Sequence, residues 1–189
     1  MKPNIYTGVG DKGNSNLIVK KSLSKSDLVF EVLGTLDELS AFLGFLHLSK
    51  ISELSKIAID IQSDLLSIGS FVAGAKLGKN EYDYWIKKVT LTEQRIDYFE
   101  SKNTVIKNFI IPGGCIESNY LHISRAVSRR LERVFIRYLN LSKRTDIKII
   151  EPYLNRLSDL LFSMSRYSNK KRGYKDYIWK ASLSLKSSK

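Results

Sequence analysis

An all-α fold, an up-and-down bundle of five helices behind an irregular N-terminal glycine loop, is what this sequence predicts. Three observations carry that reading. Apolar side chains recur at helical spacing from about residue 27 to residue 168; the prolines stand at positions 3, 112 and 152, outside the interiors of those stretches; and the connections are short and polar or glycine-bearing. The 189 residues, 43% hydrophobic and 26% charged, suit a single domain over 1–189 with a real core. It divides into an N-terminal loop (1–26), the bundle (27–168) and a basic C-terminal tail (169–189).

Each helix has its own signals. "SDLVFEVLGTLDELSAFLGFLHLSK" predicts a first helix from about Asp27 to Leu48, with Ser26 or Asp27 as cap, and "SELSKIAIDIQSDLLSIGSFVAGA" a second, capped by Ser52 and ended by the glycines near residue 74. Thr90 and Glu93 form a T-x-x-E capping box that opens a third helix reaching about Lys102. In "FIIPGG", residues 109–114, Pro112, Gly113 and Gly114 stop any regular element. A fourth helix follows from about Ile116 to Leu141. The fifth runs from Ile147 or Glu151 to Tyr167, with Pro152 in its first turn.

Composition excludes several function classes. No apolar run approaches the roughly 20 residues of a membrane-spanning helix, and the start carries no signal-peptide pattern, so the expected address is cytoplasmic. The single Cys115 allows no internal disulfide, and with His47 and His122 it makes no zinc-type cluster. A metal would be oxygen-bound and arrive with a phosphate ligand; no protein-built metal site is expected. The net charge of +12 points to an anionic partner. Half of it lies in residues 169–189, where seven Lys/Arg face one Asp, a stretch expected to be mobile or loosely docked. A second concentration, "RAVSRRLERVFIR" at 125–137, holds five arginines and one glutamate, and arginine suits fixed, planar phosphate contacts.

Four constellations could carry chemistry. "YTGVGDKGNSN", residues 6–16, sets Gly8, Gly10 and Gly13 in a G-x-G-x-x-G spacing, but no strand feeds it and no helix leaves it, as a dinucleotide fold needs. A Walker loop fails too, because Lys12 sits inside the loop and Asn14 where the lysine belongs. What remains is a backbone able to approach an anion, with Asp11, Lys12, Asn14 and Ser15 as polar partners, or else a solvated glycine turn. Arg125, Arg129 and Arg133, at i, i+4, i+8, share one helix face with Glu132 beside them. They are either a solvated cationic face or a row that an anion neutralises. Asp37 and Glu38 stand early in a strongly apolar helix, with Asp37 near Phe30, Leu33 and Leu36. Asp37 is either exposed or paired with a fourth-helix arginine. In "YLNRLSDLLF", Arg156 and Asp159 read as a structural i,i+3 pair, while Asn155, a poor helix-interior residue, can donate and accept at once. His122 reads as a satisfied core histidine.

Four stretches, in order, resemble the PduO-type ATP:corrinoid adenosyltransferases: "YTGVGDKGNSNL", "GTLDELSAFLG", "FIIPGG…LHISRAVSRRLER" and "YLNRLSDLLFSMSRY", spanning about residues 5 to 168. The resemblance implies a cobalamin adenosyltransferase-like, ferritin-like five-helix bundle, assembled as a homotrimer with ATP between subunits. It implies a transferase that moves the 5′-deoxyadenosyl group of ATP to cob(I)alamin, giving adenosylcobalamin and triphosphate. Thr7, Gly8, Val9, Gly10, Ser15 and Asn16 would wrap the triphosphate with Lys25. Arg129, Arg130, Glu132 and Arg133 would complete the nucleotide site, and Asn155 would hold the ribose. Asp37 would pair with Arg125 to organise the site, and Phe109 would stand on the corrin side. ATP, Mg²⁺ and cob(I)alamin are the implied small molecules. A flavin-type reductase or a corrinoid-dependent mutase is the implied protein partner, with no nucleic acid and no membrane. Val9 and Asn14 depart from the family pattern, which has threonine at each place; Val9 removes a hydroxyl contact but leaves the backbone N–H. Two rival readings stand beside this one. A basic helical nucleic-acid binder would use the charge, the arginine helix and the aromatic tail, but leaves the glycine loop, Asp37 and Asn155 unexplained. A non-catalytic bundle would hold ATP or a corrinoid as carrier or sensor.

Overall fold

A computed structural model of the chain describes residues 8, 10–19 and 22–180. Five helices make the body: α1 (Leu28–Gly44), α2 (Ser52–Val72), α3 (Lys79–Lys102), α4 (Ile116–Ser142) and α5 (Glu151–Lys171). Helix α4 packs on α1 and α5, α1 also packs on α2, and α3 lies along α5. The apolar stripes are the cause. On α1, Val32, Leu36, Leu39 and Leu43 are buried at i, i+4, i+7, i+11, and on α5 Leu154, Leu157, Leu161 and Met164 at i, i+3, i+7, i+10. Each such side chain contributes about 1.5–3 kcal/mol by leaving water. Among the described residues no helix is long and apolar enough to cross a membrane.

Boundaries differ from the expected ones in four places. Helix α1 ends at Gly44 and tightens into a 3-10 turn, Phe45–Leu48. Asp27 occupies its N-cap position without a side-chain capping bond, and α2 is entered from Ile51, whose N–H is held by Ser49 Oγ at 3.1 Å. The expected capping box is not one: α3 starts at Lys79, and Thr90, well inside it, bonds back to the Ile86 carbonyl at 3.4 Å. The early half of α3 was hidden because, of "KNEYDYWIKKV", it buries only Trp85 and Lys88, too few for a visible stripe. A 3-10 turn, Thr145–Ile150, leads into α5, with Pro152 in the first turn as expected.

Two short antiparallel ribbons flank the bundle. Strand β1 (Asn14–Ser15) pairs with β2 (Leu23–Ser24), making the N-terminal loop a hairpin. Strand β3 (Ile110–Ile111) pairs with β4 (Tyr177–Ile178), Ile110 opposite Ile178 and Ile111 opposite Tyr177. The expectation of a loosely attached tail from residue 169 is therefore corrected over 169–180: α5 continues to Lys171, Asn169 is buried, and the segment beyond returns to pair with β3.

A buried ionic cluster joins α2, α3 and α5. Lys88 Nζ lies 2.7 Å from Asp60 and 2.9 Å from Asp64, Arg95 lies 2.6 Å from Asp60, and Tyr153 donates to Asp64 at 2.7 Å, with Tyr84 as a further donor. Burial, then the neighbouring Asp64, pushes the Tyr153 hydroxyl well up, so it stays a donor. Every atom of Asp64 that could be orphaned is thus used.

Candidate active site

The glycine loop is anchored at both ends. Gly8 and Gly13 take left-handed φ values of 70° and 77°, and the Gly13 carbonyl accepts from the Lys25 N–H at 2.8 Å. The Lys25 side chain crosses so close to Gly10 that a β-carbon there would stand 2.8 Å from its Nζ. Gly8, Gly10, Ser15 and Lys25 are thus gathered on one hairpin. The Asn16 side chain is engaged within it, accepting the Ser22 N–H at 2.8 Å. Thr7 and Val9 lie outside the described residues. The hairpin settles on the end of the bundle, where Leu17, Val19 and Leu23 line a pocket with Val72, Tyr138 and Leu141. Gly74, at φ 115°, leaves the α2 terminus open to Val19, which would lie 2.3 Å from a β-carbon there.

The arginine row lies further along α4. Arg129, Arg130 and Arg133 are exposed, and Arg133 Nη1 donates to the Arg129 carbonyl at 3.0 Å. Arg130 pairs with Glu38 of α1. Glu132 Oε1 accepts from Asn155 Nδ2 at 2.8 Å, across the α4–α5 seam. Asn155 Oδ1 accepts from Arg156 Nη1 at 2.7 Å, and Arg156 reaches Glu93 at 3.0 Å rather than the expected Asp159. The residues of α4 and α5 expected to hold a nucleotide are therefore contiguous. The glycine hairpin meets α4 further along, at Tyr138 and Leu141, roughly 7.5–12 Å of helix rise beyond Arg133 and 14–18 Å beyond Arg129.

Asp37 and Arg125 do not pair within one copy of the chain. Asp37 is exposed in the groove between α1 and α2, beside Leu33, Leu36 and Leu66, whereas Arg125 faces the opposite seam. The Arg125 guanidinium lies 5.9 Å from the Phe162 ring centroid, and its Nε is buried without a partner. Burial, then the charge of Arg129, works against its protonated form.

Arg125 opens onto a cleft of about 710 Å³ lined by Phe109, Ile110, Pro112, His122, Phe162 and Trp179. Phe109 is 80% exposed there, which no packing in this chain explains. His122 is a core residue but not the satisfied one expected, since both ring nitrogens are buried without partners. Burial, then the adjacent Arg125, pushes it down to about 4, with Asp176 opposing, so it is neutral near pH 7.

Behind Phe109, the turn of Pro112, Gly113 and Gly114 is fixed by Asn169. Its Nδ2 donates to the Gly113 carbonyl at 3.0 Å and its Oδ1 accepts the Cys115 N–H at 2.9 Å. Gly114 has φ 110°, and a β-carbon on it would fall 2.0 Å from Asn169 Oδ1, so this position requires glycine. Sequence reasoning missed Asn169, Trp179 and the Glu38 partner of Arg130. For the tail, the alternating aromatics of "YIW" were the available signal.

An exposed arginine row with a carboxylate–amide pair suits a nucleotide polyphosphate, and the adjoining cleft with its exposed aromatic suits a broad apolar co-substrate. Cys115 is buried against Ser168, and the His122 nitrogens are enclosed, so the nucleophile fits better on a substrate than on these side chains. Fold and site together define a helix-bundle transferase acting between a nucleotide and a large apolar acceptor.

The cobalamin adenosyltransferase family model matches residues 5–168, and the chain belongs to that family. It is 36% identical to the corrinoid adenosyltransferase MMAB of Bos taurus, over 94% of this chain and 76% of that one, and 34% identical to the corrinoid adenosyltransferase of Bacillus subtilis, over 94% and 93%. Among solved structures it resembles a phenylalanine-to-alanine variant of the PduO-type ATP:corrinoid adenosyltransferase from Lactobacillus reuteri complexed with cobalamin and ATP. That likeness has a TM-score of 0.80 and 27% identity, covering 94% of this chain and 100% of that one. An arginine-to-lysine variant of the same enzyme complexed with ATP gives a TM-score of 0.79 at 28% identity, covering 93% and 100%.

Proposed function

We propose that the chain transfers the 5′-deoxyadenosyl group of ATP to cob(I)alamin, forming adenosylcobalamin and triphosphate, at a site shared between neighbouring copies of a homotrimer. The observation that carries this reading is the adjacency on α4 of the phosphate-suited row, Arg129, Arg130 and Arg133, and the Arg125–Phe109 cleft. The glycine hairpin, which in one copy meets α4 beyond that row, would come from the neighbour, and Asp37 of that neighbour would then be free to meet Arg125.

In this arrangement Arg129 and Arg133 hold the triphosphate, and Asn155, oriented by Glu132, holds the ribose. The bond that forms joins cobalt to ribose C5′, and the bond that breaks is from C5′ to the bridging oxygen, whose electron pair leaves with triphosphate. Negative charge grows on that oxygen, where fixed guanidinium groups stabilise it most. In-line placement of C5′ over the cleft supplies the rest. A cation would arrive on the ATP oxygens, with Glu132 on α4 and Glu38, the partner of Arg130, as the acids at the row. Bound there, Mg²⁺ would add charge neutralisation on the triphosphate. The nucleic-acid reading leaves the Glu132–Asn155 pair beside the arginine row without a task.

The direct test is an anaerobic assay with ATP, Mg²⁺ and chemically reduced cobalamin, following loss of cob(I)alamin absorbance. Photolabile adenosylcobalamin formed with triphosphate is the expected result. ATP binding without product would favour a carrier or sensor instead.

A further inference from the structure

Two side chains expected in other pairs form a link to Asn155. Glu93, expected in a capping box with Thr90, stands in the interior of α3, and Arg156, expected to pair with Asp159, reaches Glu93 instead. Arg156 Nε donates to Glu93 Oε1 at 3.0 Å and its Nη1 donates to Asn155 Oδ1 at 2.7 Å. We propose that Arg156, anchored on α3 by Glu93, is a positioning residue of the nucleotide site: it holds the Asn155 amide in the orientation that offers a donor and an acceptor together to the ribose diol, and so makes the site select nucleotides that carry those hydroxyls. This rests on the assignment of Asn155 to the ribose.

The orientation follows from what each neighbour can do. A carboxylate accepts and a guanidinium donates. With Glu132 Oε1 2.8 Å from one end of the amide and Arg156 Nη1 2.7 Å from the other, Nδ2 must face Glu132 and Oδ1 must face Arg156; the flipped amide would set acceptor against acceptor and donor against donor. Each end still has capacity left, a second N–H on Nδ2 and a second lone pair on Oδ1. A vicinal diol matches that pair, since each hydroxyl can both give and take a hydrogen bond. Glu132 alone would secure the nitrogen end and leave the amide plane free to turn about that bond.

Stability is not what this relay serves. Asn155 is exposed, with Glu132, Arg156 and Glu93 half-buried around it, and the bonds cross three helices, from α4 to α5 to α3. The Arg156 and Glu93 side chains keep 40% and 46% of their surface in water, where an ion pair adds little to folding. What the pair does supply is direction. The planar fork of arginine aims two N–H groups at two different partners, Nε at the anchor on α3 and Nη1 at the amide, so the plane of the guanidinium is fixed before a ligand arrives. The Asn155 main chain is steadied as well, its carbonyl accepting from Ser158 Oγ at 3.3 Å.

The test measures dissociation constants of ATP and of 2′,3′-dideoxy-ATP, both with Mg²⁺, by calorimetry for the parent, Arg156→Ala, Asn155→Ala and the double variant, all as purified full chains. The parent is expected to prefer ATP about tenfold, and Arg156→Ala to cut that preference about fivefold by weakening ATP while leaving the dideoxy analogue within about twofold. Asn155→Ala should abolish the preference, and adding Arg156→Ala to it should change neither constant by more than about twofold, since the arginine then has no amide to hold. Equal weakening of both nucleotides by Arg156→Ala, or the same loss in the Asn155→Ala background as in the parent, would overturn the proposal, because Arg156 would then act by its charge or by structure alone. A parental preference in Arg156→Ala with none in Asn155→Ala would overturn it while leaving Asn155 on the ribose. No preference in the parent, or a parental preference in Asn155→Ala, would overturn the ribose assignment itself.

Discussion

Asn155 Nδ2 donates to Glu132 Oε1 at 2.8 Å, joining α5 to α4 beside the arginine row, and the Asn155 carbonyl oxygen accepts from Arg156. An asparagine on an exposed helix face is thereby locked in one orientation, its amide plane decided by a carboxylate on one side and a guanidinium on the other. Asn155→Ala should therefore raise KM for ATP about tenfold, the loss of roughly 1.4 kcal/mol of hydrogen bonding, with the unfolding midpoint nearly unchanged. Steady-state kinetics at saturating corrinoid would check it; an unchanged KM for ATP would remove Asn155 from the site.

Gly114 and Gly113 are adjacent but should respond differently. Gly114→Ala places a β-carbon against Asn169 at φ 110°, and is expected to cost about 2 kcal/mol or more and to disturb the Phe109 strand. Gly113 lacks the left-handed φ, and its β-carbon would meet the Tyr177 ring at 3.5 Å, an ordinary contact. Urea unfolding of the two variants should separate them clearly, with Gly113→Ala close to the parent.

Lys88 is the cation that makes two acids tolerable beneath α3. Lys88→Met leaves Asp64, 1% exposed, with tyrosine donors only, and should destabilise the protein by about 3–5 kcal/mol. Adding Asp64→Asn should recover part of that loss. Equal stability of Lys88→Met and the parent in chemical denaturation would contradict the network described here.

His122 gives a pH dependence of definite sign. Its folded value, about 4, lies below the ordinary 6.5, so the unfolded chain binds the extra proton between those values and stability falls as pH drops from about 6.5 toward 4. The full effect is about 3 kcal/mol, an upper bound from the two values. The carboxylates held low, Glu53 and Asp60 among them, lose their contribution only below their ordinary 4.5 and 3.8. His122→Leu should thus match or exceed the parent at pH 7 and be clearly more stable at pH 5, by unfolding midpoints measured at both.

The bundle was legible because α1, α2, α4 and α5 carry apolar stripes, and a stripe is a local property of the chain. The start of α3 was not, since its burial rests on Trp85 and an ion pair between Lys88 and acids many residues away. On the site, Arg125, Arg129 and Arg133 were readable as one helix face from their spacing, whereas Phe109 entered only through the family resemblance; Glu132 and Asn155, named separately in the sequence, are joined by a hydrogen bond. The tail's return to β3 depends on Asn169, Arg166 and Asp176 meeting in space, which helical periodicity does not encode. Glu38, grouped with Asp37 as a helix charge, turned out to be the partner of Arg130.

The distance between the glycine hairpin and the arginine row has a genetic meaning. If each site draws its hairpin from one copy and its row from the next, two chains that are each inactive, one altered at Lys25 and the other at Arg129, are not equivalent to one chain carrying both changes. Co-assembled in equal amounts, they should regain about a quarter of the sites by random assortment around a symmetric ring, while the doubly altered chain regains none. Such complementation would be visible as activity in the mixed assembly. Conversely, a defective chain made alongside a sound one would spoil sites whose other half is intact, and inheritance of a lesion would depend on which half it struck.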